Sequence, residues 1–262
     1  MCFLITKKLK KAYNTNKEMN VVIGCIDPRA TREISGLVKQ LQHDAPVTTI
    51  RIAGGMVPIF GDWLAKNAQN ISKIMLVPHD NGCAGAKSVW EALTDGNGFS
   101  SNFYGSFVEP FRLWAKATGA SLHSAVDVEN SLPAFHADLA ARILGSNGFT
   151  GEIESYQMHV QDAHHGSEDK LFLVSNGENS RAHAHNLEEL SWLSVNHAYV
   201  SRVPLSMSSS SVVRAISVNL EILKKAHAVS ISFSDEEHKA LESALAFACR
   251  AAPGVTSSSV KI

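Results

Sequence analysis

The sequence is poor in the features that define several special classes of protein. Cysteine is scarce, since four residues among 262 cannot form the dense disulfide framework of a small secreted domain. No stretch approaches the roughly 20 apolar residues that a membrane-spanning helix needs. Neither sign of charge dominates, because 24 basic and 25 acidic residues leave a formal net charge of −1. This balance favours neither nucleic acid nor an anionic membrane as a partner.

What remains is typical of a globular protein large enough to bury a sizeable core, with 45% hydrophobic and 19% charged residues. Near the N-terminus a four-residue apolar run at 2–5 is followed by a basic cluster at 7–11. That run is too short for the core of a signal peptide, and the basic cluster lies on the wrong side of it. We expect a basic, partly helical arm here, with a targeting peptide as the alternative.

Three short apolar runs at 21–24, 47–50 and 74–77 have the length and composition of strands. Helical patterns at 31–43 and 60–70 separate them. This alternation predicts an α/β fold with a mainly parallel sheet flanked by helices. Each run is followed closely by a residue whose side chain can bind a metal or an anion, namely Cys25, Arg51 and His79. All three should therefore lie at the carboxyl edge of one sheet, where open α/β sheets bind ligands.

The later sequence is less informative, and it contains no internal repeat that we can detect. Further helices are predicted at 87–93, 107–116, 132–144, 212–226 and 235–250, and strands at 152–160 and 171–174. We expect the two strands to form a hairpin and the serine-rich tail to fray. A serine run at 206–211 suggests a hinge. The predicted organisation is an α/β domain at 1–205 and a C-terminal helical extension at 206–262.

A zinc site is predicted from Cys25, His79 and Cys83, and it makes 1–205 the predicted zinc-binding catalytic domain. Thiolate and imidazole together suit Zn²⁺, and three protein ligands leave one tetrahedral position open for water. A redox pair of cysteines is the alternative, although it would leave His79 without a role. Cys2 and Cys249 have no such neighbours, and we interpret them as small apolar residues. Because two of the four thiols belong to a metal site, we expect a reducing compartment and a cytoplasmic protein.

Asp27 and Arg29 are two residues apart on the loop that carries Cys25, so their side chains can pair. Arg29 would hold the carboxylate ionised, and Asp27 could then accept a proton from zinc-bound water. Two alternatives are that Asp27 occupies the open zinc position or that the two form a plain surface ion pair. Gly54 and Gly55 allow the backbone to approach a small ligand closely, so they are candidate pocket residues. The chain lacks the glycine-rich motifs of nucleotide sites.

Five histidines cluster in the second half of the chain: His159, His164, His165, His183 and His185. We expect them to be exposed loop residues, with a second metal site as the alternative.

The motifs Cys25-x-Asp27-x-Arg29, Arg51-Ile52-Ala53-Gly54-Gly55 and His79…Cys83 resemble those of the β-class carbonic anhydrases, in the same order and at similar separations. The resemblance is specific over about residues 20–90. It departs from the family pattern in two places. Three residues separate His79 from Cys83 where the family has two, and Ile52 stands where the family usually has Asn.

The resemblance implies zinc ligation by Cys25, His79 and Cys83, an Asp27–Arg29 catalytic dyad, and a homodimer or higher homo-oligomer. The implied reaction is reversible hydration of CO₂ to bicarbonate by zinc-bound hydroxide. Two other functions stay open at this point. One is zinc-dependent hydrolysis of carbonyl sulfide or carbon disulfide, which relatives of this class perform. The other is a non-catalytic zinc protein that acts through its C-terminal helices.

Overall fold

A computed structural model describes residues 19–95, 104–160, 170–178 and 198–262. Within these ranges the strands are β1 (Met19–Gly24), β2 (Val47–Arg51), β3 (Ile71–Val77), β4 (Glu152–Ser155), β5 (Leu171–Asn176), β6 (Ala198–Val203), β7 (Ala226–Ser232) and β8 (Val255–Lys261). The α-helices are α1 (Thr31–Leu41), α2 (Gly61–Asn67), α3 (Ala84–Thr94), α4 (Glu109–Thr118), α5 (Ala125–Gly145), α6 (Ser209–Leu223) and α7 (Asp235–Arg250). Short 3₁₀ turns cover Pro28–Ala30, Ala53–Gly55, Val57–Phe60 and Ala68–Asn70, and a π-helical turn covers Tyr104–Val108.

The described strands form one sheet in the order β4-β3-β1-β2-β6-β5-β7-β8. The four strands on each side of the centre run parallel to one another. At the centre, β2 meets β6 in antiparallel orientation through the pair Arg51 and Arg202. The predicted α/β fold with a mainly parallel sheet is therefore confirmed.

The two halves of the sheet share one topology. Counted from the central seam outward, each half places its second strand first, then its first, third and fourth. The registers match as well. Gly24 pairs with Arg51 and Val77, and in the second half Ser175 pairs with Arg202 and Ile231. The chain thus repeats a four-stranded unit in space, although we detect no repeat in the sequence.

Strands β1 and β2 and the carboxyl half of β3 are buried on both faces, which is why they appear in the sequence as continuous apolar runs. Val21 and Ile23 pack into a large core on one face, whereas Val22 packs on the other face with Ile34 and Val38 of α1. Burial of each such side chain contributes about 1.5–3 kcal/mol relative to its exposure. Helices cover both faces and leave the carboxyl edge accessible to the loops that carry the predicted site.

The predicted hairpin of β4 and β5 is wrong. β4 pairs in parallel with β3 at one edge of the sheet, and β5 lies in the other half between β6 and β7. Both β4 and β5 pair in parallel with strands that are remote in sequence. Local apolar patterning cannot identify such partners. β4 is also shorter than predicted, and only the isolated bridge between His79 and Met158 continues its direction.

The C-terminal segment contains the two predicted helices, α6 and α7. Ser234 caps α7, because its side chain accepts a hydrogen bond from the Glu237 backbone N–H at 3.2 Å. The segment 206–262 is more than a helical extension, since it also supplies β7 and β8. The tail does not fray: β8 pairs with β7 along its whole length. Residues 206–262 therefore continue the sheet that begins in 1–205.

Candidate metal centre

Three buried side chains meet at the carboxyl edge of β1 and β3. Cys25 follows β1 directly, His79 lies two residues beyond β3, and Cys83 immediately precedes α3. Their ligand atoms all lie within 4.8 Å of one another, and the two Sγ atoms are 4.0 Å apart. Because β1 and β3 are parallel neighbours, residues more than 50 positions apart in sequence reach the same point.

The geometry suits a metal ion. A tetrahedral ion with metal–sulfur bonds of about 2.3 Å would hold two sulfurs about 3.8 Å apart, close to the observed separation. The His79 Nδ1 atom lies 3.0 Å from the Asp80 carbonyl oxygen, so Nδ1 carries the proton and donates it. His79 Nε2 is buried and has no hydrogen-bond partner among the described residues. This is how proteins orient a metal-binding imidazole. The group could hold a metal ion.

A left-handed turn accommodates the extra residue between His79 and Cys83. Asn81 and Gly82 have φ values of 68° and 92° in succession. Asn tolerates the left-handed region better than most residues, and Gly does so at no steric cost. The Asn81 side chain also donates to the Val160 carbonyl at 2.8 Å. The longer spacing therefore still places Cys83 beside His79.

Glu129, on α5, holds the same turn from the other side. Its carboxylate accepts hydrogen bonds from the backbone N–H groups of Gly82 and Cys83, both at 3.2 Å. The sequence analysis missed this residue. The one available signal was the spacing of Glu129 and His136, which lie seven residues apart on one face of a largely apolar helix.

Asp27 and Arg29 form a two-pronged ion pair beside the three ligands. Asp27 Oδ1 accepts from Arg29 Nε at 3.0 Å, and Oδ2 accepts from Nη2 at 2.8 Å. The Arg29 guanidinium also donates to the carbonyls of Asn81 and Gly82, so it ties the two ligand-bearing loops together. Asp27 Oδ2 lies 3.9 Å from His79 Nε2, and Asp27 is not part of the three-residue ligand group.

The electrostatics of the site keep Asp27 ionised. Burial, the largest single influence, raises the pKa of Asp27, but the hydrogen bonds and charge of Arg29, together with the charge of His79, outweigh it and lower the pKa. Burial also lowers the pKa of His79, yet the Cys25 thiolate and Asp27 more than reverse this and raise it to about 9. In the metal-free protein His79 is therefore a cation at neutral pH.

The pKa values of the two thiols are shifted in opposite directions. The hydrogen bond from Cys83 lowers the pKa of Cys25 well below its ordinary value. The pKa of Cys83 is raised, first by that hydrogen bond to Cys25 and then by burial. A metal ion binds thiolates and neutral imidazole, so its binding at this site must displace protons.

Gly54 and Gly55 lie beside the ligands, with φ values of 64° and 68°. The Gly54 N–H donates to Cys25 Sγ at 3.3 Å. Helix α3 packs so closely here that a Cβ on Gly85 would lie 2.5 Å from the Gly54 nitrogen. The helix can approach this closely because Gly85 lacks a side chain, and the positive φ of Gly54 favours glycine at that position as well.

A small cavity opens onto the ligands. Its walls are mainly apolar, and they include Ile23, Leu76, Ala86, Leu132 and Pro133. The cavity volume is about 30 Å³, which leaves room for about two water molecules. It therefore suits a ligand of a few atoms rather than a larger metabolite.

His136 lines this cavity, and the sequence analysis missed it too. Its Nε2 lies 3.0 Å from the Gly54 carbonyl and so carries the proton, and its buried Nδ1 has no partner among the described residues. Burial lowers the pKa of His136 to about 4, against a weaker opposing effect of the Gly54 carbonyl. His136 is consequently neutral, and the cavity wall carries no charge at this position.

The other predicted sites have mixed outcomes. His159 is exposed and pairs with Asp80 at 2.5 Å. His164, His165, His183, His185, Cys2 and the basic arm lie outside the described residues. Cys249 is a half-buried free thiol on α7. Within the described ranges, Cys25, His79 and Cys83 are the one group of metal-ligand type.

Comparison with known proteins adds no relative. No protein-family model, no curated protein and no solved structure matches this chain. The resemblance to the β-class carbonic anhydrases therefore rests on the sequence motifs alone. In the part of the chain that the structure describes, no helix is both long and apolar enough to cross a membrane.

Proposed function

We propose that this chain is a zinc-dependent carbonic anhydrase, which hydrates carbon dioxide reversibly to bicarbonate. The supporting observation is that the buried Cys25–His79–Cys83 group lies beside the Asp27–Arg29 pair at one end of a small apolar cavity. Zinc is the proposed metal because two thiolates and one imidazole are a typical zinc donor set. The set leaves a fourth position for water.

Bound zinc would lower the pKa of a coordinated water to about 7, and so supply hydroxide near neutral pH. The protein's own contribution is to place a fixed proton acceptor nearby. Asp27 is ionised and buried, and Arg29 holds both of its oxygens, so the carboxylate can accept a hydrogen bond without reorienting. Fixed acceptors of this kind need no reorganisation during the reaction.

The cavity supports the choice of substrate class. Carbon dioxide is a linear molecule of three atoms with no hydrogen-bond donor, and the cavity is small and mainly apolar. Ile23 and Leu76 exclude bulk water from its wall, and the neutral His136 adds no charge. Carbonyl sulfide and carbon disulfide have the same shape, so they are the natural competing substrates in any test.

The decisive experiment combines metal analysis with stopped-flow hydration of carbon dioxide between about pH 7 and 9. Wild type should contain one zinc per chain and hydrate carbon dioxide. Cys83→Ser should lose both zinc and hydration, whereas the matched control Cys249→Ser should keep both, since Cys249 lies on α7 outside the ligand group. Asp27→Asn should keep the zinc but lose most of the hydration rate.

Four results would change the conclusion. Stoichiometric zinc with no hydration across this pH range contradicts carbonic anhydrase activity. Hydrolysis of carbonyl sulfide or carbon disulfide by that same protein would then identify the sulfur compounds as substrates. Stoichiometric zinc with neither reaction would indicate a non-catalytic zinc protein, and metal-free protein of full stability would contradict every zinc-dependent function.

Oligomeric state is the remaining part of the proposal. We propose a homodimer or higher homo-oligomer, as the family resemblance implies. Sedimentation equilibrium of the zinc-loaded protein measures this directly, and a monomer at micromolar concentration contradicts it. The cytoplasmic location stays a prediction.

A further inference from the structure

Two buried side chains from the second half of the fold hydrogen-bond to the backbone beside the metal centre. The Gly54 N–H donates a hydrogen bond to Cys25 Sγ at 3.3 Å. One residue earlier, the Ala53 N–H donates to Asn219 Oδ1 at 2.9 Å. Asn219 belongs to α6, in the second half of the fold, and is completely buried. Its carboxamide therefore holds the segment that presents Gly54 to the metal ligand.

A second contact holds the same segment from its other end. Asn219 Nδ2 donates to Ser201 Oγ at 3.0 Å, and Ser201 Oγ donates to the Arg51 carbonyl at 3.0 Å. Ser201 lies on β6 and is also completely buried. The pair thus fixes the backbone on both sides of Ile52. Neither group can exchange these bonds for water, because both are buried.

The clamped segment carries a third link, the Arg51 side chain. Its guanidinium donates to the Cys25 carbonyl, to the Asp27 carbonyl and to Thr31 Oγ1, each at 2.9 Å. A shift of the Arg51 backbone would therefore move the loop that holds both a metal ligand and the proton acceptor. Burial lowers the pKa of Arg51 to about 10, which still leaves the side chain charged at neutral pH.

We propose that Asn219 and Ser201 are positioning residues for the metal centre. Together they orient the Gly54 N–H onto the Cys25 thiolate and set the position of the Cys25 loop through Arg51. The N–H···S bond withdraws electron density from the thiolate, so it tunes how strongly Cys25 donates to the metal. This role rests on the metal centre of the proposed function, but not on carbon dioxide as the substrate.

The test uses Co²⁺ as the probe, because its sulfur-to-metal charge-transfer band reports on the thiolates directly. Co²⁺ affinity is measured by competition with a chelator for wild type, Asn219→Leu and Ser201→Ala. The matched control is Asn20→Leu, which removes another buried carboxamide, one that donates to Leu41 at the opposite end of β1. Urea unfolding of the metal-free proteins shows whether each variant is folded and how far it is destabilised.

We expect Asn219→Leu to weaken Co²⁺ binding by about 10- to 100-fold, the usual range for residues that orient metal ligands. The charge-transfer band should move to lower energy, because a thiolate without its N–H donor is easier to oxidise. Ser201→Ala should move both readouts in the same direction by less. Asn20→Leu should move neither, even where it lowers stability by the same amount as Asn219→Leu.

The proposal is overturned if folded Asn219→Leu binds Co²⁺ with wild-type affinity and an unshifted band. It is equally overturned if Asn20→Leu shifts the band as much, because the effect would then follow general stability. Should Asn219→Leu fail to fold, Ser201→Ala decides the question alone, and an unshifted band in that variant contradicts the proposal. Since no readout uses carbon dioxide, failure of the hydration assay would leave this result unaffected.

Discussion

Replacing His136 with Gln should make the protein less sensitive to acid. The imidazole is buried at the wall of the cavity, and burial lowers its pKa from 6.5 to about 4. The folded protein therefore keeps His136 neutral at a pH where the unfolded chain would protonate it. Gln can preserve the hydrogen bond that Nε2 donates to the Gly54 carbonyl, but it cannot take up a proton.

The sign follows from the lowered pKa. The unfolded state binds the extra proton, so the stability associated with neutral His136 is complete above pH 6.5 and falls as the pH drops toward 4. Between pH 7 and 5 the loss from this one group amounts to about 2 kcal/mol of unfolding free energy. His136→Gln should remove that part of the pH dependence.

Urea unfolding of metal-free wild type and His136→Gln at pH 7 and pH 5 measures the difference. The control is His43→Gln, which replaces an exposed histidine just beyond α1 and should behave like wild type. If wild type and His136→Gln lose stability in parallel between the two pH values, the assignment of His136 as a buried neutral group is wrong.

Three further predictions concern packing, metal binding and helix capping. Gly85→Ala would place a methyl group 2.5 Å from the Gly54 nitrogen, so we expect a loss of about 1–3 kcal/mol in urea unfolding and weaker Co²⁺ binding. The control is Gly36→Ala in α1, where the added methyl group has no neighbour within 4 Å, so this change should raise the unfolding free energy by up to about 1 kcal/mol. Equal effects of the two substitutions would refute the packing argument. The pKa of His79 is about 9 without metal, so metal affinity should rise at least tenfold per pH unit up to that value. Calorimetry in two buffers should count the protons released on binding. An affinity that does not change with pH would contradict the assignment of His79 as a protonated ligand. Ser234→Ala should cost about 1 kcal/mol by removing the cap of α7, and Ser234→Thr should restore most of it in the same unfolding assay.

Local patterning was sufficient for the first three strands and the helices between them. The runs that became β1, β2 and β3 are short, apolar and separated by amphipathic helices, so their order and parallel pairing follow from general rules of α/β architecture. Cys25 and His79 follow two of these strands. Their meeting at one sheet edge was therefore predictable from the sequence.

The second half was harder because its partners are remote in sequence. β5 and β6 have ordinary strand compositions, and nothing local shows that β6 pairs with β2 across the seam. The serine-rich tail has few apolar residues, yet it forms β8 because an existing strand offers it a complete ladder. Tertiary pairing overrode local propensity there, as it commonly does for edge strands.

The sequence by itself determined the chemistry available to this protein: two thiols, an imidazole and an Asp–Arg pair, each following a strand or opening a helix. Tertiary structure alone decided how that chemistry is held. The side chains of Glu129, His136, Ser201 and Asn219 hydrogen-bond to backbone at or beside the site from distant elements, and no local sequence motif identifies these partners. The physical reason is that buried polar groups must find partners wherever the fold places them. Such partners depend on packing in three dimensions, whereas strand and turn patterns depend on neighbours in sequence.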